Sequence, residues 1–253
     1  MDRNPKEFFS GRVEQFRKYR IGYPAEVIDL LQKSYGLTKG AVVADIGAGV
    51  GRFTAMLAPL ARTVYAIEPF DAMRSVIEKE VSSDPSVIVT NASAEATGLA
   101  ASSVDLITAA QSFQWFDASA ARHEFMRILK PDHYMVMLWN DREIDRDDFH
   151  REYEFYVRGL PLYREETHKT VTASDIEAFY GNENYRMHTF HNEQKLDRDG
   201  LIGRFMSATY APKAGEEGHD EAIRFFTDLF DRYAKKDAVT IHHTVELFAG
   251  KFS

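Results

Sequence analysis

The segment from Val42 to Thr54, VVADIGAGVGRFT, constrains the fold of this chain more than any other. Its first part, Val42 to Ile46, is a short apolar run with one acid near its end, which is typical of a central strand in a parallel sheet. Gly47, Gly49 and Gly51 follow at alternate positions, and glycine allows a sharp turn and a close approach of the backbone to a ligand. Apolar residues then recur at helical spacing at positions 53, 56, 57 and 60. The segment therefore predicts a buried strand, a tight turn and a helix that packs back onto the strand.

The spacing of the glycines distinguishes between two kinds of ligand. A dinucleotide-binding turn has the pattern G-x-G-x-x-G, in which the glycines make room for a pyrophosphate. Here the pattern is G-x-G-x-G, and Arg52 stands where the last dinucleotide glycine would fall. Asp45 would repel a pyrophosphate and attract a cationic group such as an ammonium or a sulfonium. The turn therefore favours a nucleoside with a zwitterionic amino-acid tail over NAD, and a turn without any ligand is the remaining alternative.

The pattern D-x-G-x-G-x-G after an apolar strand, here Asp45 to Gly51, resembles the first motif of class I S-adenosylmethionine (SAM) dependent methyltransferases. The segment Gln111 to Asp117, QSFQWFD, resembles a small-molecule subgroup that includes Methyltransferase type 11 and trans-aconitate methyltransferase-like proteins. The resemblance covers residues 10 to 140 well and the last hundred residues loosely. It implies SAM as the cofactor and a Rossmann-like α/β fold. The implied sheet has seven strands and is mostly parallel, with an antiparallel last strand.

Short apolar runs predict the strands along the chain. A helical pattern or a turn follows each of the first five, which predicts parallel pairing with right-handed crossovers. Lys130-Pro131-Asp132 is predicted to end the helix before the fifth strand. The predicted strands are Val42 to Ile46, Thr63 to Ile67, Ser86 to Thr90, Val104 to Ala110, Tyr134 to Trp139, Tyr185 to His191 and Val239 to Phe248.

We expect a single methyltransferase domain over residues 1–253. Residues 1–36 contain two helical patterns around a basic and aromatic cluster, and they resemble the N-terminal lid of many small-molecule methyltransferases. A plain helix–linker–helix junction is the alternative. After Asn140 the alternation of strand and helix breaks, and residues 141–182 are a predicted helical insertion, or cap, between the fifth and sixth strands. Ser174 is the predicted N-cap of its second helix.

Glu68 ends the second predicted strand and lies 19 residues after Gly49. This is close to the ~20 residues at which an acid meets a ribose in nucleotide-binding folds. A carboxylate there can accept hydrogen bonds from both ribose hydroxyls, whereas the alternative is an acid that only stabilises a helix N-terminus. The resemblance implies further contacts, among them Met73 at the adenine edge, although a methionine at helical spacing is more often part of the core. The predicted cofactor-binding residues are Asp45, Gly47, Ala48, Gly49, Glu68, Pro69, Met73, Ser93, Ala94 and Gln111.

No histidine stands out at the predicted strand ends as a general base, and the catalytic residues stay unassigned. Methyl transfer from SAM needs a base only when the nucleophile is protonated, and a carboxylate with a pKa of ~4 is already ionised. A small carboxylic acid is therefore the favoured acceptor, and arginines could hold it bidentately. Arg52 is one candidate, with an ordinary surface position as the alternative. The predicted substrate-binding residues are Tyr19, Arg20, Tyr23, Trp115, Arg204 and Tyr210.

Composition limits the remaining classes of function. The net charge of -8 argues against nucleic acid as a partner, and no apolar run approaches the ~20 residues that span a membrane. The absence of cysteine excludes disulfides, thiolate metal sites and cysteine nucleophiles, and we expect no metal. The N-terminus is too polar for a secretory signal, which favours a cytoplasmic protein. We expect a monomer or homodimer. Two alternatives to a methyltransferase are a non-catalytic SAM-binding protein and an NAD-dependent oxidoreductase.

Overall fold

The computed structural model describes residues 11–81, 84–166, 171–181 and 184–252. One seven-stranded sheet has the strand order β3-β2-β1-β4-β5-β7-β6. The strands are β1 Val42–Ile46, β2 Thr63–Ile67, β3 Val87–Thr90, β4 Val104–Ala110, β5 Leu129–Arg142, β6 Tyr185–Leu196 and β7 Val239–Gly250. The helices are α1 Val13–Tyr19, α2 Ala25–Ser34, α3 Arg52–Leu57, α4 Asp71–Val81, α5 Ala118–Ile128, α6 Asp148–Gly159, α7 Pro161–Glu166, α8 Ala173–Tyr180, α9 Arg198–Met206 and α10 His219–Tyr233. None of the helices in these ranges is long and apolar enough to cross a bilayer.

The sheet confirms the predicted topology. β1 pairs in parallel with both β2 and β4, β2 pairs in parallel with β3, and β4 pairs in parallel with β5. The last strand is antiparallel, as in the Rossmann-like fold of methyltransferases. The strand order reverses between β1 and β4, and ligands of open α/β sheets bind outside the carboxyl ends of the strands at such a point. The turn after β1 and the segment after β4 therefore lie where a ligand is expected.

The chain divides into two compact units. The first, here called the sheet unit, comprises Gly22–Asn140, Val171–Phe190 and Val245–Ser253. The second, here called the helical unit, comprises Met1–Ile21, Asp141–Thr170 and His191–Thr244. The lid roles of residues 1–36 and 141–182 stay predictions, and of these segments residues 1–10, 167–170 and 182 lie outside the described part of the chain.

The core of the sheet unit follows from the alternation of side chains along buried strands. Val43 packs in one apolar cluster with Val27 and Leu31 of α2. Its neighbour Ala44 packs in a second cluster with Phe125 of α5. Since successive residues of β1 contribute to different clusters and the whole strand is buried, helices cover both faces of the sheet.

The core of the helical unit is rich in aromatic residues from α6, α9 and α10. Tyr153 packs edge-on against Phe226 with ring centroids 5.0 Å apart, and Tyr156 stacks on Phe225 at 4.1 Å. Edge-to-face and offset stacking are the favourable arrangements for aromatic pairs. This unit therefore has a hydrophobic core of its own.

Two local predictions were wrong. Lys130-Pro131-Asp132 does not separate α5 from β5, because β5 already begins at Leu129, which pairs with Val104 of β4. The extra residues form an irregularity in the β4–β5 pairing before Tyr134 pairs with Leu106. Ser174 is not the N-cap of α8. Thr172 is, because its side chain and that of Asp175 form a reciprocal capping box.

Candidate active site

The turn between β1 and α3 has the geometry that its glycines predict. Gly47, Gly49 and Gly51 have φ values of 67°, 61° and 82°, which glycine adopts without strain. A Cβ atom on Gly47 would lie 2.5 Å from the Cβ atom of Ser112, so no larger residue fits there. On Gly49 a Cβ atom would meet nothing closer than the sulfur of Met73 at 3.8 Å. The space beside Gly49 is therefore less crowded than the space beside Gly47.

Asp45 is buried beneath this turn, with 1% of its surface exposed. Its carboxylate accepts hydrogen bonds from Thr54 Oγ1 at 2.6 Å and Thr108 Oγ1 at 2.9 Å. Burial raises the pKa of Asp45 to about 6, although the two threonine hydroxyls act in the opposite direction. Sequence reasoning did not identify the two threonines as partners. The only signal was a hydroxyl residue within the apolar strand β4.

Glu68 lies against the glycine turn, as its spacing predicts. Its Oε2 accepts a hydrogen bond from the backbone N–H of Gly49 at 2.8 Å, and its Oε1 accepts one from Phe70 N at 2.8 Å. An acid that only stabilised the N-terminus of α4 would not contact Gly49. The structure therefore brings together Gly49 and Glu68, the two residues whose spacing suggested a nucleotide-binding fold. Glu68 is 4% exposed, and burial raises its pKa to about 7 despite the two N–H donors.

The segment after β4 forms the other side of the point where the strand order reverses. Gln111 has a φ of 58°, and a non-glycine residue in this left-handed region is strained. Its backbone N–H donates to Leu138 O at 2.9 Å, and its side-chain amide to Asn140 O at 3.4 Å. Ser112 Oγ donates to Ile46 O at 2.7 Å and so joins this segment to the end of β1. Strained residues held by such contacts concentrate at functional sites.

The other predicted cofactor residues lie around these elements. Met73 is buried on α4 beside Gly49, while Ala48 and Pro69 are half-buried in the turns after β1 and β2. Ala94 is buried in the cluster that contains Ile46 and Ile67, the last residues of β1 and β2. Its neighbour Ser93 is half-buried and forms an isolated bridge with Ala96.

Comparisons with known proteins agree with this geometry. A family described as Methyltransferase domain matches residues 44–137. A curated protein of Schizosaccharomyces pombe, described as an uncharacterized methyltransferase-like protein, is 29% identical over 175 residues, which are 69% of this chain and 66% of that protein. These matches support a class I SAM-dependent methyltransferase.

Solved methyltransferase structures share the fold. A structure described as a Type II methyltransferase from Anaeromyxobacter dehalogenans has a TM-score of 0.65 and 19% identity, covering 92% of this chain and 98% of that chain. Geranyl diphosphate C-methyltransferase from Streptomyces coelicolor, solved with geranyl diphosphate and S-adenosyl-L-homocysteine, has a TM-score of 0.52 and 11% identity, covering 90% of this chain and 77% of that chain. The chain spans just under two thirds of the first curated relative's length and about half, 53%, of the next two.

The residues around the glycine turn fit SAM, the cofactor that the matched methyltransferase family implies. SAM carries a sulfonium, an ammonium and a ribose, and two buried carboxylates flank the glycine turn. Buried carboxylates with raised pKa values gain from a nearby cation, because the cation offsets the cost of desolvating the charge. Glu68 uses one hydrogen bond on each oxygen, which leaves acceptor capacity for ribose hydroxyls.

The predicted substrate residues of the methyltransferase fall into two groups. Tyr23, which packs edge-on against Phe53, and Trp115 belong to the sheet unit. The residues of the helical unit are Tyr19, Arg20, Arg204 and Tyr210. In that unit sequence reasoning missed Arg142, Tyr153 and His243, which interact electrostatically with Arg20 and Arg204. These residues are far in sequence from Arg20 or Arg204, so no local sequence pattern indicates that they belong together.

One described group of three side chains could hold a metal ion. His191 and Glu193 of β6 and His242 of β7 place one ligand atom each within 4.8 Å of the others. The cluster lies in the helical unit, apart in sequence from the glycine turn. The expectation that the methyltransferase uses no metal stays a prediction.

Proposed function

We propose that this protein transfers the methyl group of SAM to a small-molecule acceptor. The observation that carries the proposal is the contact of Glu68 Oε2 with the N–H of Gly49, at the turn where the strand order reverses. When bound, SAM supplies an activated methyl group on a sulfonium leaving group. The protein's task is then to hold the reactants in line, and proximity and orientation can contribute ~7–11 kcal/mol toward the barrier.

Four features of the sheet unit have distinct roles in this proposal. Glu68 accepts hydrogen bonds from the ribose hydroxyls, and Asp45 supplies negative potential near the cationic amino-acid tail. The left-handed glycines keep the turn free of side chains, and Met73 contacts the adenine edge. Asp45 already accepts two threonine hydroxyls, so it acts mainly through its charge and by holding β1 against α3 and β4.

The acceptor we propose is a small carboxylic acid. A carboxylate is ionised at neutral pH and needs no general base, and the described glycine turn and strand ends carry no histidine. Buried arginines in the helical unit offer partners for an anion. The S. coelicolor relative is solved with a small anionic substrate, which supports small-molecule chemistry in this fold.

We propose further that the protein acts in the cytoplasm as a monomer or homodimer, without nucleic acid or membrane partners. The net charge of -8 disfavours a polyanionic partner.

Methyl transfer to an acid is tested with SAM labelled in its methyl group. The purified protein is incubated with a panel of mono-, di- and tricarboxylic acids, with matched amides that lack the charge, and with simple amines and phenols. We expect label in an ester product from at least one acid and none from its amide. Label only in amine or phenol acceptors would contradict the carboxylate class, and SAM binding without turnover on any acceptor would indicate a non-catalytic SAM-binding protein.

A further inference from the structure

The helical unit contains a group of arginines whose charge is only partly matched by acids among the described residues. We propose that Arg20, Arg142 and Arg204 form a binding site for an oxyanion, a carboxylate or a phosphate. The identification of this oxyanion as part of the methyl acceptor rests on the proposed function, whereas the site itself is a property of the helical unit. These three residues are called the arginine cluster below.

The three arginines come from distant parts of the chain and interact electrostatically with one another. Arg20 follows α1 and donates to Ser207 Oγ at 3.0 Å and Ser207 O at 3.3 Å. Arg142 ends β5 and places its guanidinium 4.7 Å from the ring centre of Tyr153. Burial and then the charge of Arg204 lower the pKa of Arg20 to about 9, with a smaller effect from Arg142. The cluster therefore concentrates positive charge where solvent screens it poorly.

Acidic partners in the described residues compensate only part of this charge. Arg142 pairs with Glu154 at 2.6 Å, but Glu154 also pairs with Arg158 at 2.9 Å. Neither Arg20 nor Arg204 forms a salt bridge with a carboxylate within the described ranges. An uncompensated buried charge is strongly destabilising, so such an arrangement favours a negatively charged ligand.

Polar atoms near the cluster are buried without a described hydrogen-bond partner. They are Nε and Nη1 of Arg204, both ring nitrogens of His243, and the hydroxyl of Tyr153. These side chains are closed to solvent, with exposures of 4%, 0% and 2%. Buried polar groups are nearly always hydrogen-bonded in proteins, so several unpartnered groups around one set of charges indicate a ligand. The atoms on Arg204 are donors, which suit the oxygens of an anion.

Tyr210 could supply a negative charge from within the protein, but one charge does not compensate the arginine cluster. Burial raises its pKa, yet Arg142, Arg204 and Arg20 together outweigh burial, and the net pKa lies below its ordinary value. An ionised Tyr210 would offset one charge, and its hydroxyl oxygen already accepts a hydrogen bond from Arg142 at 3.2 Å. Nε and Nη1 of Arg204 would still have no acceptor among the residues that the structure describes. The remaining charge and donors therefore fit an external oxyanion, which guanidinium groups bind bidentately.

The site is tested by calorimetric titration and thermal unfolding with two probes, inorganic phosphate and succinate, and with sodium chloride at matched ionic strength. The wild-type protein is expected to bind one probe or both saturably and to unfold at a higher temperature in its presence. Arg204→Gln removes the charge, shortens the side chain and leaves a polar amide in its place. We expect it to bind the probe at least tenfold more weakly and to unfold at a higher temperature than wild type in probe-free buffer. Arg224→Gln, at an exposed position of α10, is the matched control and should bind within twofold of wild type.

Tyr153→Phe provides a second variant if Arg204→Gln does not fold. It removes one unpartnered hydroxyl, so the fold should be kept and probe affinity reduced severalfold. Tighter binding of phosphate than of succinate, or the reverse, would identify which oxyanion the acceptor carries. The proposal is overturned if wild type binds neither probe saturably, or if Arg204→Gln binds as tightly as Arg224→Gln.

A SAM titration of the same wild-type sample separates the two proposals. SAM binding without probe binding overturns only the anion site, and probe binding without SAM binding supports the site while contradicting the proposed methyl transfer.

Discussion

Glu68 combines two properties that conflict unless a ligand is present. It is buried, which disfavours its charged form, and it accepts two backbone N–H groups, which favour that form. Burial is the larger effect, and the pKa rises to about 7 from the ordinary 4.5. At neutral pH the protein therefore holds a carboxylate that is costly to ionise, beside the turn where we place the cofactor.

This cost predicts a pH-dependent effect of Glu68→Gln on stability. In the unfolded chain the carboxylate loses its proton near pH 4.5, but in the folded protein only near pH 7. Between these values the unfolded state binds fewer protons, so the wild-type protein loses stability as pH rises, and the penalty is complete above the folded pKa. The neutral variant does not incur this penalty. Its free energy of unfolding relative to wild type should rise with pH, by up to about 3 kcal/mol at about pH 8.

Urea denaturation of both proteins across the pH range measures this difference. Glu78→Gln, which removes the same charge at an exposed position of the neighbouring helix α4, is the matched control. A Glu68→Gln difference that stays constant across the range would mean that Glu68 has an ordinary pKa in the folded state.

At the scale of elements, the turn after β1 predicts a contrast between two glycines. Gly47 and Gly98 both have positive φ values, 67° and 74°. A Cβ atom on Gly47 would collide with Ser112, whereas one on Gly98 would meet nothing within 4 Å. Gly98→Ala should therefore cost only the backbone strain, about 1 kcal/mol of the free energy of unfolding. Gly47→Ala should cost that amount and a steric term of about 1–3 kcal/mol. Equal losses in urea denaturation would show that the approach of Ser112 to Gly47 is not tight.

The elements that sequence reasoning predicted well are those with local signals. The apolar run of β1, the alternating glycines and the spacing from Gly49 to Glu68 are short-range patterns in the sequence. The structure forms the predicted strand and turn, and it places Glu68 in contact with Gly49. The errors arose where distant pairing decides the outcome. β5 begins at Leu129, before Pro131, because β4 offers a pairing partner, and no local pattern reveals that partner.

At the scale of the whole molecule, net charge conceals the distribution of charge. The chain carries -8 overall, yet the helical unit brings together the buried Arg204 and the half-buried Arg20 and Arg142, and of these only Arg142 has a salt bridge among the described residues. Arg20, Arg142, Arg204 and His243 are separated by up to more than two hundred positions in sequence, so only the tertiary fold brings them together. The strand, turn and acid of the candidate cofactor site were therefore predictable, whereas the full composition of the arginine cluster was not.

The central claim is that Glu68 and the glycine turn of the sheet unit bind SAM. Isothermal titration of SAM into wild type, Glu68→Ala and Glu78→Ala tests it most directly. We predict micromolar binding by wild type and by Glu78→Ala, and binding at least tenfold weaker by Glu68→Ala, a loss of about 1.4 kcal/mol. Absence of SAM binding by the wild-type protein, or an affinity of Glu68→Ala equal to that of wild type, would contradict the account.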